Sequence, residues 1–226
     1  MPQLNFVCLA NSRKNSARCI AGKTIDTGDW VRPVGHFPTG ELSEEDRRFE
    51  NAAEPVLLDI LKVQTLKPVE REDYQIENHL IDTEYYWVRQ GTLPFAQLEN
   101  LVDPVAPLWQ NGLETRYGIN NRVSPDSFGH YKYSLRLVKV DTITISVLAP
   151  SKDYGNLKRR VFGEFCSGGV TYRLDVTDPL VEAKYLSLPD GTHKIQKPCY
   201  VTVSLGEPNP RDGYAYKLIA AIIHGQ

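Results

Sequence analysis

Two sets of short alternating segments, separated by a long stretch with no period, constrain this chain more than any other feature. Alternation with β-branched and aromatic enrichment marks strands at about residues 4–10, 18–23, 30–34, 56–66 and 85–89. A second set covers 134–148, 160–166, 170–176, 199–205 and 216–223. Between them, residues 103–133 are rich in Pro, Asn, Gly and Ser and sustain no period. That stretch reads as a connection between domains, although one this long can also be ordered on a surface. Helical signals are short. Residues 43–49 open on Ser43, a good N-cap, followed by acidic residues, and residues 94–101 carry Pro94 at the first helical position.

The expected architecture is mostly β: two tandem OB-like small β-barrels with short helices. Its parts are an N-terminal domain over 1–102, a connecting segment over 103–133 and a C-terminal domain over 134–226. A single sandwich or larger barrel stays open as an alternative. No internal repeat is visible by eye, so the doubling rests on strand count and the central shift in composition. The 226 residues suffice to bury a core in either arrangement.

Composition excludes several classes. With 41% hydrophobic and 24% charged residues, and no apolar run near the roughly 20 residues of a membrane helix, the chain is expected to be soluble and not to span a membrane. Its first residues lack the basic start and apolar stretch of a signal peptide, so the expected location is cytoplasmic. Cys8, Cys19, Cys166 and Cys199 form no C-x-x-C pair and are expected to be reduced, small buried hydrophobes. The five histidines show no metal-ligand spacing, and no nucleophile elbow, P-loop or dinucleotide fingerprint is present. Neither catalytic residues, nor a metal, nor a cofactor is assigned. The carboxylates of 41–54 and 70–77 are expected to serve solubility.

A net charge of -2 does not mark a general nucleic-acid binder, so any such contact must come from a local patch. The best candidate is Asn11-Ser12-Arg13-Lys14 with Arg18 and Lys23, followed by Trp30-Val31-Arg32-Pro33. Guanidinium groups beside an aromatic plane suit gripping phosphates and stacking on bases. The bland reading of the first segment is a β-turn with ordinary turn residues. Trp30 and Arg32 fall on one face of a strand; they are either a stacking platform or a cation-π pair closing one side of a barrel. Glu207, in Ser204-Leu205-Gly206-Glu207-Pro208, either reaches a base edge or ribose in a pocket or sits at a strand end facing water. Lys158, Arg159 and Arg160, after a turn at 153–156, offer secondary phosphate contacts or a solvated hairpin end. Tyr131, Lys132 and Tyr133 interleave charge and aromatics in the same way, or else seal the connecting segment.

These motifs carry a resemblance. Residues 9–14, 18–22, 30–33 and 55–60, together with Cys199 to Pro208 and Tyr216 to Ala221, resemble the bacterial dual OB-containing domain family over nearly the whole chain. The resemblance implies two tandem OB folds, nucleic-acid or nucleotide recognition, and a prokaryotic conflict or defence setting. It supplies no catalytic residues. Ala17 stands where members of that family often carry Gly before the arginine.

The expected function is therefore a non-catalytic recognition module for nucleic acid, single-stranded favoured, or a nucleotide-like ligand. Asn11, Ser12, Arg13, Lys14, Arg18, Trp30, Arg32 and Glu207 form the candidate site. One alternative is an adaptor or regulatory subunit docking a protein effector, since exposed aromatics and arginines also suit protein interfaces. The other is a nucleic-acid-processing enzyme, for which Cys19, His36 and Glu207 are the available candidates.

Overall fold

The computed structural model describes residues 2–70, 72, 74–149 and 158–225; the turn expected at 153–156 lies outside them. The chain divides into two units, Met1–Val102 with Gly129–Leu135, and Asp103–Phe128 with Arg136–Gln226.

Unit 1 contains β1 (Gln3–Lys14), β2 (Ala17–Thr24), β3 (Trp30–Val34), α1 (Glu44–Arg47), β4 (Asp59–Pro68), β5 (Asn78–Ile81) and β6 (Val88–Thr92), then a 3₁₀ turn at Phe95–Leu101. β1 pairs antiparallel with β2 along one edge and with β4 along the other. Because β2 pairs β3, β3 runs parallel to β5, and β5 pairs antiparallel with β4, the pairings β1-β2-β3-β5-β4 lead back to β1. Register shifts at Cys8/Ala10 and Thr65/Lys67 interrupt the circuit. At Gly22 β1 and β2 approach so closely that any side chain would run into the Val7 carbonyl.

Alternation does what period two demands. Leu4, Phe6 and Cys8 of β1 meet Ile20, Leu61, Val63 and Trp87 in the core. The opposite face is also covered: Leu9 and Leu98 are fully buried, and Lys23 donates to the Leu101 carbonyl at 2.8 Å.

α1 is a single turn with a capping box. Ser43 accepts from the Asp46 amide at 3.1 Å, and the Asp46 carboxylate accepts from the Ser43 amide at 2.8 Å. It ends earlier than the expected 43–49 because the backbone becomes extended at Arg48, where Phe49 bridges to Trp87.

Unit 2 contains β7 (Arg122–Val123), β8 (Leu135–Val140, whose first residue is counted with unit 1), β9 (Ile143–Leu148), β10 (Arg160–Ser167), β11 (Val170–Val176), α2 (Pro179–Leu186), β12 (Gly191–Ile195), β13 (Cys199–Pro208) and β14 (Ala215–His224). Asp178 caps α2 by accepting from Leu180 and Val181, with Pro179 at the first position. Fully buried Ile145, Tyr172, Leu174, Val203 and Ile219 form the centre of its core.

Both units share one topology. The order β9-β10-β11-β14-β13, with β11 parallel to β14 and α2 between its third and fourth strands in sequence, matches β1-β2-β3-β5-β4 with α1 in the corresponding place. The doubling inferred from strand count is thus a repeat of topology. In unit 2 the path stays open, with β13 pairing β8 and β9 pairing β12. Within the stretch expected to connect the domains, Asp103–Phe128 belongs to unit 2 and contributes β7, while Gly129–Leu135 belongs to unit 1.

All four thiols are free. Cys8 and Cys199 are buried as expected, and burial pushes the Cys199 thiol up to about 11. Cys166 corrects the expectation: it is exposed, on the outward side of the β10–β11 hairpin opposite Thr171.

Candidate nucleic-acid interface

The basic segment is the end of the β1–β2 hairpin. A two-residue turn at Asn15 and Ser16 reverses the chain, with Asn15 at φ 52°, a conformation Asn tolerates. The register sets Ser12 opposite Cys19, Arg13 opposite Arg18 and Lys14 opposite Ala17. Directly opposed residues of an antiparallel pair lie on one face, so Arg13, exposed, and Arg18, half-buried, concentrate two guanidinium groups there.

The hairpin is held from behind. Arg18 and Leu42 exchange backbone hydrogen bonds at 3.1 and 2.8 Å. The Asn15 amide donates to the Thr39 hydroxyl and the Glu41 carboxylate, each at 3.3 Å. Burial acts to raise the Glu41 carboxyl, yet hydrogen bonds from Thr39, its own backbone and Asn15, with the Lys14 charge nearby, hold it below its ordinary value. The Lys14 charge thus stands beside the Glu41 carboxylate.

Asn11 and Ser12 serve the fold. The Asn11 amide donates to the Pro55 carbonyl at 2.9 Å, and Ser12, 6% exposed, donates to the Cys19 carbonyl at 3.5 Å.

Trp30 and Arg32 are corrected from ligand contacts to core. Every residue of β3 is buried; Trp30 is 4% exposed, so its ring offers no platform. Lys23 lies over its face, 5.3 Å from the ring centroid. Arg32 forms a buried ion pair with Glu77 at 3.0 Å, their side chains 7% and 0% exposed. It also donates to Ser134 at 2.5 Å and Asn78 at 3.3 Å. A buried charge is tolerated when it is paired and hydrogen-bonded. Glu77 is thus a structural partner rather than a solubilising carboxylate, and so is Glu54, which pairs with Arg47 at 2.9 Å.

In unit 2, Lys158 is exposed, while its two neighbours are engaged. Arg159 pairs with Asp190 at 2.7 Å and donates to the Leu186 and Leu188 carbonyls at the end of α2. Arg160 pairs with Asp175 and lies 4.8 Å from the Phe162 ring centroid; burial raises the Asp175 carboxyl despite that guanidinium. Glu207 is half-buried within β13, which continues through Pro208 rather than stopping at 205.

Other arginines lie on rings in unit 2 without any sequence signal. Arg116 lies 5.3 Å from the Tyr117 ring and Arg173 5.7 Å from the Phe162 ring, the two rings being 6.3 Å apart, and Arg122 lies 4.6 Å from Tyr214. The bridge between Ile119 and Arg173 brings the first two pairs near one another in a chain where they are far apart.

Unit 1 has two concavities of note. One of about 690 Å³ is lined by Phe49, Glu54, Val56, Asp59, Trp87 and Arg89, with Asp59 and Arg89 paired at 2.5 Å. Another of about 300 Å³ lies between the loop after β3 and the ends of β4 and β5. Among the described residues, no group of three or more His, Cys, Asp or Glu is placed to hold a metal ion. No helix among them is long and apolar enough to cross a membrane.

The dual OB-containing domain family matches residues 4–222. No curated protein and no solved structure matches the chain.

Proposed function

The chain belongs to the dual OB-containing domain family, and from that premise we propose that unit 1 is a recognition module for single-stranded nucleic acid or a nucleotide-like ligand. OB units commonly bind nucleic acids through a basic groove and stacking. The observation that carries the reading is the register of Arg13 opposite Arg18. It sets two permanently charged, planar phosphate-binding groups on one face of a hairpin held by Leu42, Thr39 and Glu41. Lys14 adds a third cation to the hairpin end.

The proposed role is binding without catalysis, in a prokaryotic defence or conflict setting suggested by the family resemblance. Because the chain as a whole is slightly acidic, the ligand proposed is short or single-stranded; affinity for long duplex grows with the number of phosphates neutralised.

A second reading, an adaptor that docks a protein effector, draws on a different place. In unit 1 the edge strand β6 pairs with β4, and Val88 and Val56 stand about half-exposed beside the larger concavity. An extended partner segment bearing an apolar side chain would add there as a further strand.

Anisotropy titration of labelled single-stranded DNA, single-stranded RNA and duplex at two salt concentrations separates the readings. Salt-sensitive binding to a single strand, lost in Arg13→Ala/Arg18→Ala, supports the first. Absence of binding to all three at micromolar protein removes it and leaves the adaptor.

A further inference from the structure

With Trp30 buried, the basic hairpin lacks the aromatic partner that base recognition calls for. Phe37 is an exposed ring in the loop attached to that hairpin: 49% of it is accessible, and it stands outside the core cluster of unit 1. Burying an aromatic ring is strongly favourable, and the fold leaves half of this one in water.

The ring's loop is tightly closed. The Gly35 amide donates to Gly40 at 3.2 Å and the Gly40 amide to Phe37 at 2.8 Å. Gly40 adopts φ 69°, and a side chain at Gly35 would meet the Glu41 carbonyl oxygen at 2.5 Å. The residues that follow, Thr39 and Glu41, are those gripped by Asn15 at the hairpin turn. Ring and arginines therefore belong to one hydrogen-bonded assembly.

The concavity of about 300 Å³ is lined by Val34, His36, Phe37, Lys67, Asn78 and Leu80. This size is at the small end for ligand sites and suits one flat ring system. Its walls are apolar at Val34 and Leu80 and polar at Lys67, His36 and Asn78. Arg32 holds Asn78 from behind at 3.3 Å, which gives that buried arginine a positioning part in the site.

We infer that this concavity is a nucleobase subsite, in which Phe37 stacks on a base of the strand whose phosphates the Arg13/Arg18 pair holds. The inference rests on the reading of the hairpin as a nucleic-acid contact and assigns the stacking residue that Trp30 does not supply.

The test compares the full chain with Phe37→Ala and Phe37→Tyr, titrating a labelled single strand of about 12 nucleotides, within the span of an OB unit, and its abasic counterpart. Expected is a loss of affinity of roughly fivefold or more for the base-bearing strand in Phe37→Ala, no change for the abasic strand, and retention in Phe37→Tyr. An unchanged thermal midpoint shows that the exposed position leaves the fold intact. Equal effects on both strands, or none on either, overturn the subsite while leaving the arginine contact standing. Failure of the unaltered chain to bind either strand overturns the hairpin reading itself, and the subsite with it.

Discussion

Arg13 and Arg18 stand directly opposite one another across the β1–β2 ladder, two residues of like charge in register on a single face. Opposed like charges cost stability in a sheet. Replacing either by Ala is therefore predicted to leave the unfolding free energy unchanged or raised by a few tenths of a kcal/mol, while binding of a single strand falls. Denaturant unfolding beside anisotropy titration checks both parts.

Arg32 behaves differently. Removing it strands the buried Glu77 carboxylate, and the predicted loss is about 3–5 kcal/mol of stability. Arg32→Lys does not restore it, because one ammonium cannot reach Glu77, Ser134 and Asn78 in the same planar geometry. Urea unfolding measures the effect. An Arg32→Ala variant as stable as the unaltered chain would contradict this assignment.

Trp30→Ala is predicted to destabilise by about 3–5 kcal/mol through cavity formation. Conservative Trp30→Phe is predicted to keep strand affinity, since a ring 4% exposed touches no ligand. Titration of folded Trp30→Phe decides this; a large loss of affinity would return the ring to the site.

Part of this arrangement is legible in the sequence. β3 at 30–34 and β11 at 170–176 were readable because turn residues bound clear runs of strand formers. β5 and β12 were not: Asn78-His79 and Gly191-Thr192-His193-Lys194 are strands by pairing rather than by propensity. α2 does announce itself in sequence, by the cap-and-proline pair Asp178-Pro179. Alternation placed Trp30 and Arg32 on one face but could not show that both faces of β3 are covered. Phe37, a lone aromatic in a loop, carries no periodic signal at all.

Lys217 gives a pH dependence. Its ammonium, 1% exposed, donates to the Gln110 carbonyl at 2.5 Å, lies 5.1 Å from the Tyr172 ring, and is lowered by burial from 10.5 to about 7. Between those values the unfolded chain binds more protons than the folded one, so stability rises with pH. The Cys199 thiol, raised from 9.0 to about 11, acts oppositely once pH exceeds about 9. The thermal midpoint is therefore predicted to rise between about pH 7 and 9, with that rise diminished in Lys217→Met. An identical slope in both would refute it.

The central claim is tested most directly by the salt dependence of single-strand binding, measured as log Kd against log salt for the unaltered chain and for Arg13→Ala/Arg18→Ala. If each arginine holds one phosphate, the slope should shrink by about 1.4 in magnitude. Binding with the same slope in both proteins would show that the hairpin arginines do not touch the strand.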